Sequence, residues 1–171
     1  FDRWLLGSPL HGSTDQQRLA NYVDWQLDWT NISDTAVDQR LSAAGYTTLN
    51  KTLEQLWNDH IKVDPVYDIR MRPAWEVQRA SYVRATHSRR QLREVLVNFW
   101  HAHFNVMATD FSAGPVFAHY DRDVIRANAT GNFRTMLEAV AQSTSMLYYL
   151  DNLNNSRSGP NENFARELLE L

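Results

Sequence analysis

Two histidines separated by one residue, His101 and His103, are where the side chains of this sequence first invite chemistry. Such a pair can hold one metal ion if both rings point the same way, as they do on a strand. The surrounding stretch, His87 to Val106 (HSRRQLREVLVNFWHAHFNV), has a helical period instead. At about 100° per residue, positions two apart on a helix point about 160° away from each other, so a single ion cannot take both rings. His103 then shares a face with Leu92, Leu96 and Phe99 and reads as a core histidine. His101 falls in another row with Glu94, Asn98 and Asn105. That polar row is either a solvent face or the wall of a cleft, in which Glu94 or a neighbouring carboxylate orients His101 as base or metal ligand.

The second candidate group is the segment Asn161 to Leu171 (NENFARELLEL). Glu162, Arg166 and Glu170 recur at i, i+4 and i+8, a pattern that usually makes exposed ion pairs worth about 0.2–0.5 kcal/mol each. Glu167 differs, because it sits beside Phe164, Leu168 and Leu171, and a carboxylate drawn into apolar surroundings needs a cation or a metal as partner. The candidate catalytic residues are therefore His101, Glu162, Arg166 and Glu167, with His101 and Glu167 as ligands of a divalent metal and Arg166 as the holder of an anionic group. Asp121 and Asp123, in Tyr120 to Arg126, sit at an expected helix start, where the helix dipole favours them and Arg122 and Arg126 can pair them. The sequence has no Gly-rich phosphate loop, GxSxG elbow or HExxH motif, so nucleotide binding, ordinary serine-hydrolase and zincin chemistry lack support.

The elements that must position these residues are helical throughout. Ser88 and Gln91 form a capping-box pattern that predicts a central helix from Arg89, and Thr14 with Gln17 predicts one over Asp15 to Trp29. Ser33 can cap a short helix to Ala44, with Gly45 as its left-handed stop. Asn50 to about His60 reads as another, broken by Asp64-Pro65. Pro73 fits the first turn of a helix reaching Ala85. After a loop at Gly114-Pro115, helices are expected over Tyr120 to Ala129, after Thr130 or Asn132, and after Ser143 or Thr144; Asn152 to Pro160 is a loop, and Pro160 opens the last helix. Asp2 to Leu10 reads as an entering arm. With no alternating strand pattern, the fold class is all-α, an irregular multi-helix bundle of about eight helices without a sheet, forming a single domain over residues 1–171.

A chain of 171 residues with 43% hydrophobic and 12% aromatic residues can bury one sizeable core. Its net charge of -3 offers no general attraction to phosphate backbones, and the arginines between Arg84 and Arg93 read as a solvated or ion-paired helix end, so no nucleic-acid partner is expected. The absence of cysteine excludes disulfides, thiolate metal sites and a Cys nucleophile. No apolar run is long enough to span a membrane. A first residue of Phe1 rather than Met indicates a processed or trimmed start, from which an export signal could have been removed.

The segments SRRQLREVLVNFWHAHFNV from Ser88, YDRDVIRANATGNFRTMLEAVAQSTSMLYYLDN from Tyr120 and NENFARELLEL from Asn161, with a fainter echo in FDRWLLGSPL, together resemble the bacterial domain-of-unknown-function family DUF1800. Members of that family are longer, and their ARELLEL helix runs on into a His-Thr-Leu-Gly segment. The resemblance implies the N-terminal part of a longer, exported protein, periplasmic or extracellular. The partner implied is the remainder of the same chain or another exported protein. No established reaction comes with the family, but its motifs draw attention to His101, His103, Asn105, Asp151, Asn152, Asn161, Glu162, Asn163, Arg166 and Glu167. The leading expectation is metal-assisted hydrolysis or oxidation in a polar cleft between the central and final helices. Its competitor is a non-catalytic binding or assembly protein of the cell envelope, with Trp100, Phe104, Tyr148 and Tyr149 as packed core or partner groove. The enzyme reading requires His101 and a carboxylate of the last helix to face one concave site.

Overall fold

The computed structural model describes residues 11–170, so the arm expected over Asp2 to Leu10 and the side chain of Leu171 lie outside the described residues. Among the described residues the chain forms nine α-helices and no strand. Helix α1 (Asp15–Leu27) starts where Thr14 Oγ1 accepts the Gln17 N–H at 3.2 Å. Helix α2 (Thr35–Ala43) stops before Gly45, whose φ of 66° suits a residue without a Cβ. Helix α3 (Leu53–Trp57) opens on a complete capping box between Thr52 and Gln55 and widens into a π-helical turn over Asn58–Lys62.

Helix α4 (Tyr67–His87) is the longest, and Pro73 lies inside it rather than in its first turn. The proline removes the N–H that would have bonded the Ile69 carbonyl four residues back. His60 supplies the missing donor, its Nδ1–H meeting that carbonyl at 2.6 Å. This fixes the ring tautomer, leaving Nε2 to accept from the Lys51 ammonium at 3.1 Å, and Lys51 also pairs with Asp59 at 2.8 Å. Burial pushes the His60 imidazole down in pKa, which favours the neutral ring this arrangement needs. A buried histidine thus lets the helix begin six residues before its proline.

The central helix, α5 (Gln91–Phe104), starts two residues later than Ser88 and Gln91 predict. Their capping box does not form: Ser88 Oγ accepts the Arg90 N–H at 3.0 Å and donates to Asp34 Oδ2 at 2.6 Å, and the Gln91 side-chain amide donates to the Ser88 carbonyl. The helix entrance is held from outside: Asp34 Oδ1 accepts the Arg89 N–H at 2.8 Å, and Gln26 Oε1 accepts the Leu92 N–H at 2.9 Å. Gln26 Nε2 also donates to the Arg89 carbonyl at 2.9 Å. Gln26 is the buried residue of α1, whose apolar positions Leu19, Val23 and Leu27 are exposed. Thus α1 is tied to α5 by a cap more than by an apolar stripe.

Beyond α5 the chain turns at Asn105, left-handed with φ 49°, and returns through Gly114 to α6 (Phe117–His119). A Cβ at Gly114 would collide with Met71 of α4 and the Ala108 carbonyl, which is why this close approach needs glycine. Helix α6 runs straight into a second π-helical stretch, Tyr120–Arg126. Asn132 caps α7 (Phe133–Ala141), Ser143 caps α8 (Thr144–Tyr149), and Asn161 Oδ1 accepts the Asn163 N–H at the start of α9 (Glu162–Glu170). The core gathers Leu56, Met71, Val97, Phe104, Tyr120, Ile125, Met136 and Val140, with Trp100, Tyr148 and Tyr149 packed against it. Replacing Gln26 with Leu strands one N–H and one carbonyl at the α5 entrance and should lower stability by about 1–3 kcal/mol, measured by urea denaturation; an unchanged midpoint would show that the cap is dispensable.

Candidate active site around His101

The polar row of α5 divides: Asn98 and Asn105 are exposed, Glu94 is buried and His101 is half-buried. Glu94 is 5% exposed and receives both oxygens' hydrogen bonds from Arg126 Nη1, at 3.0 and 2.9 Å. The same guanidinium turns its Nε to Asp121, 2.9 Å from Oδ2 and 3.2 Å from Oδ1. Asp121 Oδ1 in turn accepts from His101 Nε2 at 2.9 Å. Glu94, Arg126, Asp121 and His101 therefore form one chain of charge-assisted hydrogen bonds linking α5 to the stretch after α6. Arg126 is anchored a second time, because its carbonyl accepts Arg93 Nη2 at 3.0 Å while Arg93 lies over the Trp29 ring.

The π-helical turn makes this geometry possible. Asp121 and Arg126 are five positions apart, which on an α-helix would set them about 140° from each other. In a π-helix, whose bonds close every five residues, the two side chains stand on one side. Burial alone would raise the Asp121 carboxyl, yet the His101 hydrogen bond and the charges of Arg126, His101 and Arg84 hold it at about 2. Arg126 is likewise lowered by burial but carried above its ordinary value by Asp121 and Glu94. Both charges are thus present at neutral pH. An ionised carboxylate only accepts, so the His101 proton sits on Nε2 and Nδ1 is left as the ring's acceptor.

That ring lines a cavity of about 470 Å³ between α4 and α5. Trp75, Val77, Tyr82, Val106 and Phe117 make much of its wall apolar, and Gln78, Ser81, Asn98 and Thr109 add amide and hydroxyl groups. The His101 side chain is 20% exposed, whereas Asp121 behind it is 4% exposed. This is the form of a ligand site: a concave, mainly apolar space with a few polar groups and one titratable ring backed by a buried charge.

A cavity of about 420 Å³ also exists between α5 and the final helix, but the ring that lines it is His103, with Asn105, Phe164, Glu167 and Leu168. The helical argument that separates the two histidines therefore stands, while Glu167 faces the space beside His103 and not the one beside His101, so the cleft expected to join His101 to a carboxylate of the last helix is not formed and any site at His101 is built without α9. His103 stacks on Phe99 and packs edge-on to Trp100 and Phe104, and its buried Nε2 has no partner among the described residues. Glu162 and Arg166 are on the surface: Arg166 lies 3.8 Å from Glu162, 3.3 Å from Glu167 and 3.5 Å from Glu170. Among the described residues no three His, Asp or Glu side chains converge as a metal site. Asp121 was visible in sequence only as an ion-pairing residue, and its bond to His101 crosses twenty positions, beyond any helical period.

Compared with known proteins, residues 10–171 match the model of the family described as Protein of unknown function (DUF1800), and the chain belongs to that family. Neither a curated protein nor a solved structure matches it.

The depressed Asp121 carboxyl sets a pH dependence. Its contribution to stability is complete above the unfolded carboxylate range and is lost as pH falls through the folded value, so the window runs from about pH 4 down to about pH 2. Asp121→Asn should be less stable at neutral pH and should lose less on acidification across that window, read from denaturation midpoints at several pH values. Arg126→Met, which leaves Glu94 and Asp121 without their shared cation, should cost about 3–5 kcal/mol.

Proposed function

We propose, from the premise that the chain belongs to the DUF1800 family, that its cavity between α4 and α5 hydrolyses a small ester or amide with an apolar body, with His101 as general base. The observation that carries this reading is the 2.9 Å bond between Asp121 Oδ1 and His101 Nε2 at the edge of that cavity. Asp121 keeps the proton on Nε2, so Nδ1 takes the proton of an attacking water, and the buried carboxylate stabilises the imidazolium that results. The acyl carbon gains the water oxygen, and the proton leaves His101 again to the departing alcohol or amine. Asn98, Ser81 and Thr109, on the same walls, supply neutral polar groups for the carbonyl oxygen, and Trp75, Tyr82 and Phe117 suit an apolar acyl or aryl portion.

A divalent metal is compatible with the same ring, since a carboxylate behind a histidine is a common outer partner of a metal ligand. Among the described residues, however, His101 is the one His, Asp or Glu lining this cavity, short of the three protein ligands usual for a catalytic ion, so the lining by itself does not fit a metal. Export, and a partner formed by the rest of a longer chain or by another exported protein, remain part of the proposal. The competing reading, a binding or assembly module, draws on Phe99 and Phe133, which are 54% and 44% exposed beside Trp100.

A panel of aryl and alkyl esters of increasing acyl length tests the reaction. His101→Gln keeps a donor toward Asp121 but removes the base, and should lower kcat by about 100-fold or more with little change in KM. Dialysis against a chelator separates the two chemistries, because only a metal-assisted reaction loses activity and regains it with added divalent ion. Hydrolysis at an unaltered rate in His101→Gln, or no turnover of any ester by the folded protein, sinks the proposal in favour of the binding module.

A further inference from the structure

Lys51, His60 and Ile69 meet in a contact that works in one protonation state only. His60 is 2% exposed, and both of its ring nitrogens are committed. Nδ1 gives its proton to the Ile69 carbonyl at 2.6 Å, and Nε2 offers a lone pair to the Lys51 ammonium at 3.1 Å, because an ammonium can only donate. The carbonyl has no helical donor, since Pro73 occupies the position that would supply one. The neutral ring with its proton on Nδ1 is therefore the single form that satisfies all three groups.

A second proton would go on Nε2 and set one cation against another. Lys51, ahead of α3, and Arg72, on α4, both oppose that charge, while Asp59, next to the ring in its own π-helical turn, favours it. Asp59 is already engaged, because Lys51 lies 2.8 Å away and holds its carboxyl below the ordinary range. The turn Gly114–Val116, which also packs here, carries no ionisable side chain. What the ring holds is the first turn of α4, whose Ile69 and Arg70 N–H groups both donate to the Val66 carbonyl at 3.0 Å. Tyr67 in that turn packs edge-on to Trp75, ring centres 5.9 Å apart, and Trp75 is part of the wall of the His101 cavity.

We infer that this contact is an acid-sensitive latch: protonation of His60 releases the Ile69 carbonyl, loosens the first turn of α4, and frees Trp75 at the cavity wall from Tyr67. Burial and the two cations set the folded histidine below its ordinary value. The latch is thus fully closed above about pH 6.5 and is lost as pH falls from there to the folded value. That interval begins well above the one in which the Asp121 carboxylate is lost. As regulation of the reaction, the inference rests on the reading of the cavity as an ester site; the latch itself does not.

NMR on the full chain between about pH 8 and about pH 4.5 tests it, through the His60 ring resonances and the hydrogen exchange of the Ile69 and Arg70 amides. Corrected for the intrinsic rate, protection of both amides should fall by up to about tenfold per pH unit below about pH 6.5, in step with one proton taken up by His60. The Trp75 indole resonance, assigned with Trp75→Phe, should move over the same interval; an indole that does not move would cut the cavity from the latch. His60→Gln, which cannot titrate, should abolish the pH dependence, whereas His119→Gln, at the other histidine lowered by burial, should leave it in place. Lys51→Met separates a latch from simple packing: with the opposing ammonium gone, His60 should titrate nearer its ordinary range while Nδ1–H stays on Ile69 and the amides keep their protection. Amides that stay protected while His60 titrates in the unaltered chain would show that Lys51 swings aside and the ring holds, and would overturn the latch. A pH dependence that survives in His60→Gln would overturn it as well. Because exchange is read without substrate, failure of ester turnover and failure of the latch are distinguished.

Discussion

A single guanidinium, that of Arg126, holds two buried carboxylates from different parts of the chain, and most of the structure depends on it. Glu94 and Asp121 are both almost fully buried, and each would demand a large desolvation energy if left unpaired. Arg126 meets both at hydrogen-bond distance, with Nη1 toward α5 and Nε toward its own π-helical stretch. Its planar fork allows this where a lysine, with one ammonium point, would not. The relation is one of mutual necessity more than surplus stability, because the Coulombic gain of buried ions is largely offset by their dehydration. Its structural result is specific: it ties the return stretch after α6 to α5 in the register that brings Asp121 to His101.

The same demand for partners explains where the arginines go. Arg84 lies in the interior beside Asp121, Arg93 spans from Trp29 to the Arg126 carbonyl, and Arg90 reaches the Ile32 carbonyl at 2.9 Å while lying over Trp29. A segment that looks basic in sequence is thus spent largely on internal acceptors and aromatic faces. The irregular backbone follows a similar logic. Pro73 can sit within α4 because His60 satisfies the Ile69 carbonyl, and the widened turn at Tyr120–Arg126 coexists with buried Asp121 and Arg126 because it aligns them.

Two histidines that look like one motif open on two separate cavities. His101 is oriented by a buried carboxylate and borders the space between α4 and α5; His103 is embedded among Phe99, Trp100 and Phe104 and borders the space beneath α9. The candidate site consequently assembles from α4, α5 and the segment around Phe117, with the final helix serving the other cavity. Chemistry proposed for the one ring does not transfer to the other, since only His101 has a carboxylate hydrogen-bonded behind it.

Local physics was enough to determine the all-α character of the chain, the opposed directions of His101 and His103 and the cap at Thr14, and it narrowed two further caps to neighbouring pairs, Thr130 or Asn132 and Ser143 or Thr144, from which the structure takes Asn132 and Ser143. Each of these depends on side chains within one or two turns, where the 3.6-residue period and the unsatisfied N–H groups of helix ends act directly. The tertiary structure decided the rest. Ser88 does not form its predicted capping box: its oxygen accepts the Arg90 N–H, its proton goes to Asp34, far away in sequence, and Gln26 takes over the helix entrance. Pro73 moved into a helix interior because His60 stood ready to replace its missing donor. His101 found Asp121 rather than Glu94 or a carboxylate of the last helix, because Arg126 claims both oxygens of Glu94 and a π-helical turn carries Asp121 to the ring. Propensity and periodicity carry no signal for such choices; they are settled only when buried charges and backbone groups from distant segments compete for partners.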